Sequence, residues 1–532
     1  MFNAGGRSTR RAALATALSV AVLGLAAHPA MAGLTSLFDK PVPSGFRSVT
    51  GPGTLVPPYV LPSHSDVTVQ SLLTTGDAGV NGYNFAGVPD ALSTWKLNDS
   101  SYMVFVNHEF QTTQGVVRAH GQKGSFVSRW LFNSKGEPRS GSDLITSMQY
   151  WNGSGWQSTA PTGENAALYR LCSGSLAQPG SLRHLASNTG TVNPVYFANE
   201  EGGDNSRVFG VDVPSGVAYQ LPELGRASWE IINLASGTGQ KTITVGNEDG
   251  SDNGSQVWVY EGLKKRTGNV VQQAGLVGGS LSVIKVLDAN GNRIVNDDAF
   301  RSGYTLGTER PFTIAAVDSS KTGSDLNAQA ASVGTSLSRV EDGMFDPANP
   351  NDYWFITTSG GTKNSANLSS GGLWRLRFND VSNPALGGTI KLVLDNSVLP
   401  RYNGGTGLAM NMPDNLVVDG RGNILIQEDP GNNAVVSRVF AYRISDGVLA
   451  EVARFDETRF TPGKPLFITQ DEESSGIIDA PWLGDNTYLF DAQVHSAKEL
   501  PTGTGKGTVE ELVEGGQLLR MTIKSWTSIY GS

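Results

Sequence analysis

Ser338-Arg339-Val340-Glu341-Asp342-Gly343-Met344-Phe345-Asp346-Pro347-Ala348-Asn349-Pro350-Asn351-Asp352-Tyr353-Trp354-Phe355-Ile356-Thr357-Thr358 is the stretch from which the fold is read. One base and two acids come first: Arg339, Glu341 and Asp342. A short apolar strand at Met344-Phe345 leads to a turn over 346–352 and a second strand over 353–358. Aromatic and β-branched runs bounded by Pro, Asn and Asp read as a hairpin. In a hairpin the start of the first strand and the end of the second share one sheet edge. Charged groups placed at both positions therefore meet in space.

The same device recurs along the chain. Pro413-Asp414-Asn415-Leu416-Val417-Val418 runs through the turn Asp419-Gly420-Arg421-Gly422 to Ile424–Gln427 and ends in Glu428-Asp429. Asp90 opens a copy that ends in Asn107-His108-Glu109, and Glu473 opens one that ends near Asp491 and His495. Two half-copies end in Glu200-Glu201 and Glu248-Asp249. Irregular repeats of a few strands each are the pattern of a β-propeller. Six acidic hairpin ends fit an all-β, six-bladed propeller, with a β-sandwich or a β-helix as the alternatives. In a propeller these ends converge on one mouth of the central channel.

Composition agrees with short strands and turns: 65 glycines and 25 prolines in 532 residues. The net charge is −9, and the basic cluster Lys264-Lys265-Arg266 stands alone, which argues against a nucleic-acid platform. At the N-terminus, Arg10-Arg11 precede an apolar run over 12–27, and Ala30-Met31-Ala32 is a cleavage pattern. The expectation is a signal peptide over 1–32, of twin-arginine or ordinary secretory type, and a periplasmic or secreted protein. The run is too short for a membrane span, so no integral membrane segment is expected after processing. Residues 33–65 read as an extended arm. Residues 66–532 read as one propeller, with insertions near 133–165 and 264–336, and the protein is expected to be a monomer.

The converging acids imply cations. Carboxylates that face one another raise each other's pKa unless positive charge neutralises them. Hard cations with many oxygen ligands, Ca²⁺ above all, suit such a rim, with Asn107, Asn247 and Asn415 completing the shells. Cys172 is the single cysteine. Beside Glu200 and Glu201 its thiolate would suit a softer, redox-competent metal such as iron. A buried, inert thiol is the alternative.

Asn107-His108-Glu109, Cys172-Ser173-Gly174 followed by Glu200-Glu201, Arg339-Val340-Glu341-Asp342-Gly343 and Pro413-Asp414-Asn415 together resemble the PhoX-type alkaline phosphatases. The resemblance runs in short islands from about 85 to 495. It implies a six-bladed propeller, export by a twin-arginine signal, and a site of iron and calcium ions (Fe³⁺ and Ca²⁺) acting on a small phosphate ester. It further implies that Cys172, Glu200 or Glu201, and Glu341 bind iron, and that Glu109, Glu248, Asp249 and Asp414 bind calcium. Arg339, with Glu341, would be catalytic and would hold the phosphoryl group. Asp342 and Glu428, at the same strand ends, complete the candidate ligands. The chain departs from the family pattern in reading Cys-Ser-Gly-Ser for Cys-Ala-Gly-Gly and Arg-Val-Glu for Arg-Pro-Glu. A phytase-like or lactonase-type calcium hydrolase, or a calcium-binding propeller without catalysis, are the competing expectations.

Overall fold

The computed structural model describes residues 47–361, 370–400, 407–433, 435–501 and 503–531. The expected signal peptide and the first part of the arm lie outside the described residues. The hairpin of Ser338–Thr358 pairs Val340–Asp346 with Asn349–Thr357 in antiparallel register, Phe345 opposite Tyr353 and Asp346 opposite Asn349. Tyr353 and Phe355 pack on Val245 and Trp374, so alternation buries one face of the hairpin against its neighbour.

Six hairpins of this kind supply the innermost strands of the sheets: Pro89–Asn98, Leu171–Ala177, Trp229–Leu234, Val340–Asp346, Pro413–Val418 and Glu472–Asp479. Each lies against the next, and the last lies against the first, so the ring closes. The fold is a β-propeller. The sheets led by Trp229–Leu234 and Val340–Asp346 join at their outer edges, where Arg310–Val317 pairs with Gly388–Asp395. The N-terminal strand Val67–Thr74 pairs with Gly515–Ile523, in the sheet that also holds Glu472–Asp479. The two ends of the described chain thus complete one sheet, which leaves the ring no open seam. Val60–Pro62 adds an outer strand to Leu449–Phe455, which ties down the described part of the arm.

Apolar clusters fill the spaces between neighbouring sheets. Phe105 meets Tyr196 ring to ring, Phe197 shares a cluster with Trp229 and Trp258, and Leu425 shares one with Tyr488 and Phe490. The stretch 133–165, expected as an insertion, supplies an outer strand, Pro138–Asp143, to the first sheet and Ser147–Trp151 to the second. The stretch 264–336 supplies Ser280–Val286 and Arg310–Val317 to the joined sheets and a helix, Gly323–Val333, packed on them.

One backbone hydrogen bond recurs six times and defines equivalent positions. The residue after each second strand donates its N–H to the carbonyl of the residue just before the inner strand. The pairs are Glu109 to Val88 (3.0 Å), Glu201 to Arg170 (2.8 Å), Asp249 to Ser228 (2.9 Å), Thr358 to Arg339 (3.0 Å), Asp429 to Met412 (2.9 Å) and His495 to Asp471 (3.0 Å). Each inner strand also carries a β-bulge near this end, between Pro89 and Leu92, Leu171 and Gly174, Trp229 and Ile231, Val340 and Gly343, Pro413 and Leu416, and Ser475 and Ile477. A bulge re-aims a side chain that strict alternation would bury in the sheet.

Candidate metal centre

The second residue of each inner strand is Asp90, Cys172, Glu230, Glu341, Asp414 or Glu473. All six are metal-ligating residue types, and in the first five the bulge falls on them. The residues that donate the recurring bond, Glu109, Glu201, Asp249, Thr358, Asp429 and His495, form an outer set at the same mouth. In four of the six repeats the residue two before the ligand holds a left-handed backbone although it is not glycine: Val88, Arg170, Arg339 and Met412, with φ from 36° to 51°. Such strain persists only where the surroundings over-determine it, and it clusters at functional sites.

Two triads bring potential ligand atoms within 4.8 Å of one another: Asp90, Glu109 and Cys172; and Glu230, Glu341 and Asp414. Cys172 Sγ lies 2.9 Å from Glu201 Oε2, so Glu201 adjoins the first triad. Ser173 Oγ donates to Glu230 at 2.6 Å, and Asn415 Nδ2 donates to Ser173 Oγ at 3.2 Å. Asn415 and Ser173 come from inner strands on opposite sides of the ring, so this bridge crosses the channel beneath the acids. Below it a cavity of about 750 Å³ leads toward the other mouth, lined by Ile231, Met344, Val417 and Trp482 among others. The acids thus sit on a floor rather than along an open pore.

Backbone locks set the ligand geometry. Asn107 Nδ2 donates to the Cys172 carbonyl at 2.9 Å while Tyr196 Oη donates to Asn107 Oδ1 at 2.7 Å. Asn247 repeats this between the Glu341 carbonyl and Tyr353 Oη, the latter at 3.2 Å. A Cβ at Gly174 would lie 2.3 Å from Tyr196 Oη, and one at Gly343 would lie 2.5 Å from Tyr353 Oη. That close approach requires glycine two residues after each ligand. Asn107 and Asn247, expected to complete cation shells, therefore have both ends of their amides committed to the backbone lock. Asn415 differs: its Oδ1 is buried without a partner among the described residues.

Burial pushes the Asp90, Glu230, Glu341, Asp414 and Glu473 carboxyls well above their usual range, and neighbouring carboxylates push them further. Burial also raises the Cys172 thiol, followed by Glu109 and Glu201. Glu201 is pushed up to about 7 by burial, against the pull of Arg170. A cation reverses this cost. Gln493 Oε1, Gln427 Oε1 and Asn199 Oδ1 are likewise buried without hydrogen-bond partners among the described residues. Orphaned oxygens of this kind call for an ion or water. An oxygen-rich donor set with one thiol fits calcium at the carboxylates and a softer metal beside Cys172.

Several expected ligands fall elsewhere. Glu200 makes a paired ion contact with Arg207, at 2.7 Å and 2.6 Å, inside its sheet. Glu428 does the same with the fully buried Arg438, at 2.9 Å and 2.7 Å. Glu248 accepts from Trp258 Nε1 and the Gln256 amide, both at 3.1 Å. Asp342 accepts from the amides of Gly343 at 2.7 Å and Leu416 at 3.1 Å, fastening one inner strand to the next. These four carboxylates are occupied by the scaffold. Glu341, implied as sharing a metal with Cys172, stands in the other triad.

Arg339 lies at the rim as expected, in a paired contact with Asp249 at 3.0 Å and 2.6 Å and 3.2 Å from Glu341. Arg339 stands two residues before the rim acid Glu341. Arg170 holds the equivalent place before Cys172 and bridges Glu109 at 2.6 Å and Glu201 at 2.9 Å. Arg170 and Glu230 were missed as site residues, although Trp229-Glu230 matches the apolar-acid pattern of Val340-Glu341. Asp90 and Glu473 were read as repeat starts rather than ligands. The two arginines line one polar cavity of about 480 Å³ with Tyr169, Glu201, Asp249 and Asn327.

This is the architecture of a propeller built around an acidic mouth whose side chains could hold metal ions. The family model described as alkaline phosphatase PhoX matches residues 208–470. Among solved structures, Pseudomonas fluorescens PhoX in complex with vanadate, a transition state analogue, is 12% identical with a TM-score of 0.57, covering 90% of this chain and 98% of that one. An ancestral GH74 enzyme is 11% identical with a TM-score of 0.31, covering 78% of this chain and 36% of that one. No curated protein matches significantly. The resemblance read from the sequence is borne out by the family model over residues 208–470, and the fold is shared with the solved PhoX structure.

Proposed function

We propose that the protein is an exported, metal-dependent phosphatase that hydrolyses small phosphate esters at the acidic mouth, in the periplasm or outside the cell. The reading is supported by the family-model match over residues 208–470 and above all by one observation: two triads of potential ligands lie beside two guanidinium groups that face a single polar cavity. We read the closed ring of six inner strands as six blades. Asp90, Glu109 and Cys172, with Glu201, would hold the softer metal, which we take to be iron. Glu230, Glu341 and Asp414 would hold calcium. Bound there, such ions supply Lewis-acid charge at a phosphoryl group.

The chain's own residues bind and orient. Asp249 fixes the plane of the Arg339 guanidinium by paired contacts, which leaves Arg339 Nη1 free for a phosphoryl oxygen. The Ser173–Asn415 bridge closes the site from the lower channel, so the ester enters from the mouth. His495 donates toward Glu514 at 2.8 Å; burial lowers its pKa, but Glu514, Glu109 and Asp471 together raise it to about 9. Its positive charge partly offsets the acids on that side.

The test is hydrolysis of p-nitrophenyl phosphate at alkaline pH with Ca²⁺ present, with metal analysis of protein purified without chelator. We expect hydrolysis, bound iron and calcium, and an Arg339→Ala variant that keeps its metals but loses turnover. Metal-loaded protein that leaves phosphate esters untouched would refute the reading. Calcium without iron would favour a calcium hydrolase of another class or a binding propeller.

A further inference from the structure

We propose that Arg170 is a second substrate-binding arginine, which grips with Arg339 the terminal oxygens of a phosphomonoester dianion. The inference rests on the phosphatase reading of this mouth and names the group that would set its preference for monoesters.

Four observations carry it. Arg170 and Arg339 occupy the same position in their repeats: each precedes an inner strand by one residue, and each lends its carbonyl to the recurring bond. The other repeats place Val88, Ser228, Met412 and Asp471 there, so the paired bases are not a requirement of the fold. Both arginines hold the left-handed backbone, at φ 36° and 48°, which fixes how their side chains leave the rim. Both keep about a third of the side chain exposed, and both line the cavity of about 480 Å³.

The hydrogen-bond pattern completes the argument. Arg170 uses Nε and Nη2 on Glu109 and Glu201. Arg339 uses Nε and Nη2 on Asp249 and Glu341. The Arg170 guanidinium also engages the Cys172 side chain, and no hydrogen bond runs from Arg339 Nη1 among the described residues, so two held guanidinium groups border the same cavity with donor capacity toward it. A phosphomonoester dianion offers three terminal oxygens and two charges, enough to engage both. A diester offers two such oxygens and one charge. A purely structural Arg170 would serve only to balance Glu109 and Glu201.

The experiment uses the metal-loaded protein with Arg170→Gln and Arg170→Lys. The readouts are KM and kcat for p-nitrophenyl phosphate and for bis-p-nitrophenyl phosphate, calorimetric binding of inorganic phosphate, and metal content. For Arg170→Gln we expect KM for the monoester and Kd for phosphate to rise about tenfold or more, with kcat and metal content near wild type. The diester should change less, and Arg170→Lys should recover part of the loss. Unchanged phosphate binding in Arg170→Gln would overturn the proposal. So would loss of metal in both variants, which would assign Arg170 to the scaffold, and so would absence of phosphate binding by the wild type. If the wild type binds phosphate through Arg170 but hydrolyses no ester, the grip stands and the phosphatase reading falls.

Discussion

Glu200 and Glu201 are neighbours in the chain and do different work. Glu200, the last residue of its strand, turns into the sheet and is held by Arg207. Glu201 turns to the mouth, beside Cys172 and Arg170. Glu428-Asp429 and Glu248-Asp249 repeat the division: Glu428 pairs with Arg438 and Glu248 accepts from Trp258, while Asp249 meets Arg339. Period-two alternation at a strand end separates a structural acid from a mouth-facing acid one residue away. Of two adjacent carboxylates, one is therefore held by the scaffold and the other faces the mouth, where the proposed cations would bind.

The sharpest way to break this division is to remove the inward member. Glu428→Ala leaves Arg438 buried without its carboxylate and should cost about 3–5 kcal/mol, or prevent folding outright. Asp429→Ala should leave the stability of the metal-free protein nearly unchanged. Chemical denaturation of the two variants side by side checks this. Similar losses in both would erase the distinction.

The mouth-facing set should respond in metal content. Cys172→Ser should lose iron while keeping most of its calcium, because the thiol belongs to only one triad. Full iron retention would remove Cys172 from the centre.

A smaller effect is expected from pH in the metal-free protein. Buried acids with raised folded pKa values bind protons more tightly folded than unfolded. Their stabilising contribution is complete below the unfolded carboxylate range and is lost as pH rises through the folded value. Burial raises Asp342 to about 7 and Glu248 to about 8. Tm of the metal-free protein should therefore fall between about pH 4 and pH 8, and the gain in Tm on adding Ca²⁺ should grow over that range. A flat profile would contradict the burial of these groups.

The smallest effect concerns Asp491. It stands four residues before His495, where the other repeats place Phe105, Phe197, Val245, Trp354 and Leu425. It is fully buried, and neither carboxylate oxygen has a hydrogen-bond partner among the described residues. Burial raises its pKa. Asp491→Asn should shallow the pH dependence of Tm in the metal-free protein, and a steeper slope would count against this account.

The ring and its acidic mouth were legible in the sequence because hairpins with acids at both ends recur in Ser338–Thr358 and in Asp414–Asp429. Those features depend on residues close in the chain. The split between Glu200 and Glu201 was not legible, since it depends on where Arg207 returns. Bulges hid the inner ligands as well: Glu230 follows Trp229 without a visible turn signal, and its exposure to the channel depends on pairing with a later strand. Arg170 escaped because its ligand partner is a thiol rather than an acid. Asn107 and Asn247 looked like ligands until the tyrosines of neighbouring sheets, Tyr196 and Tyr353, were seen to claim them.

The central claim is that the mouth-facing row, and not the row turned into the sheets, holds metal. The most direct measurement is the metal content of the wild type, Glu201→Gln and Glu248→Gln, each purified without chelator and verified as folded. The account predicts metal in the wild type, a marked loss in Glu201→Gln and retention in Glu248→Gln. Metal loss in Glu248→Gln with full retention in Glu201→Gln would contradict it.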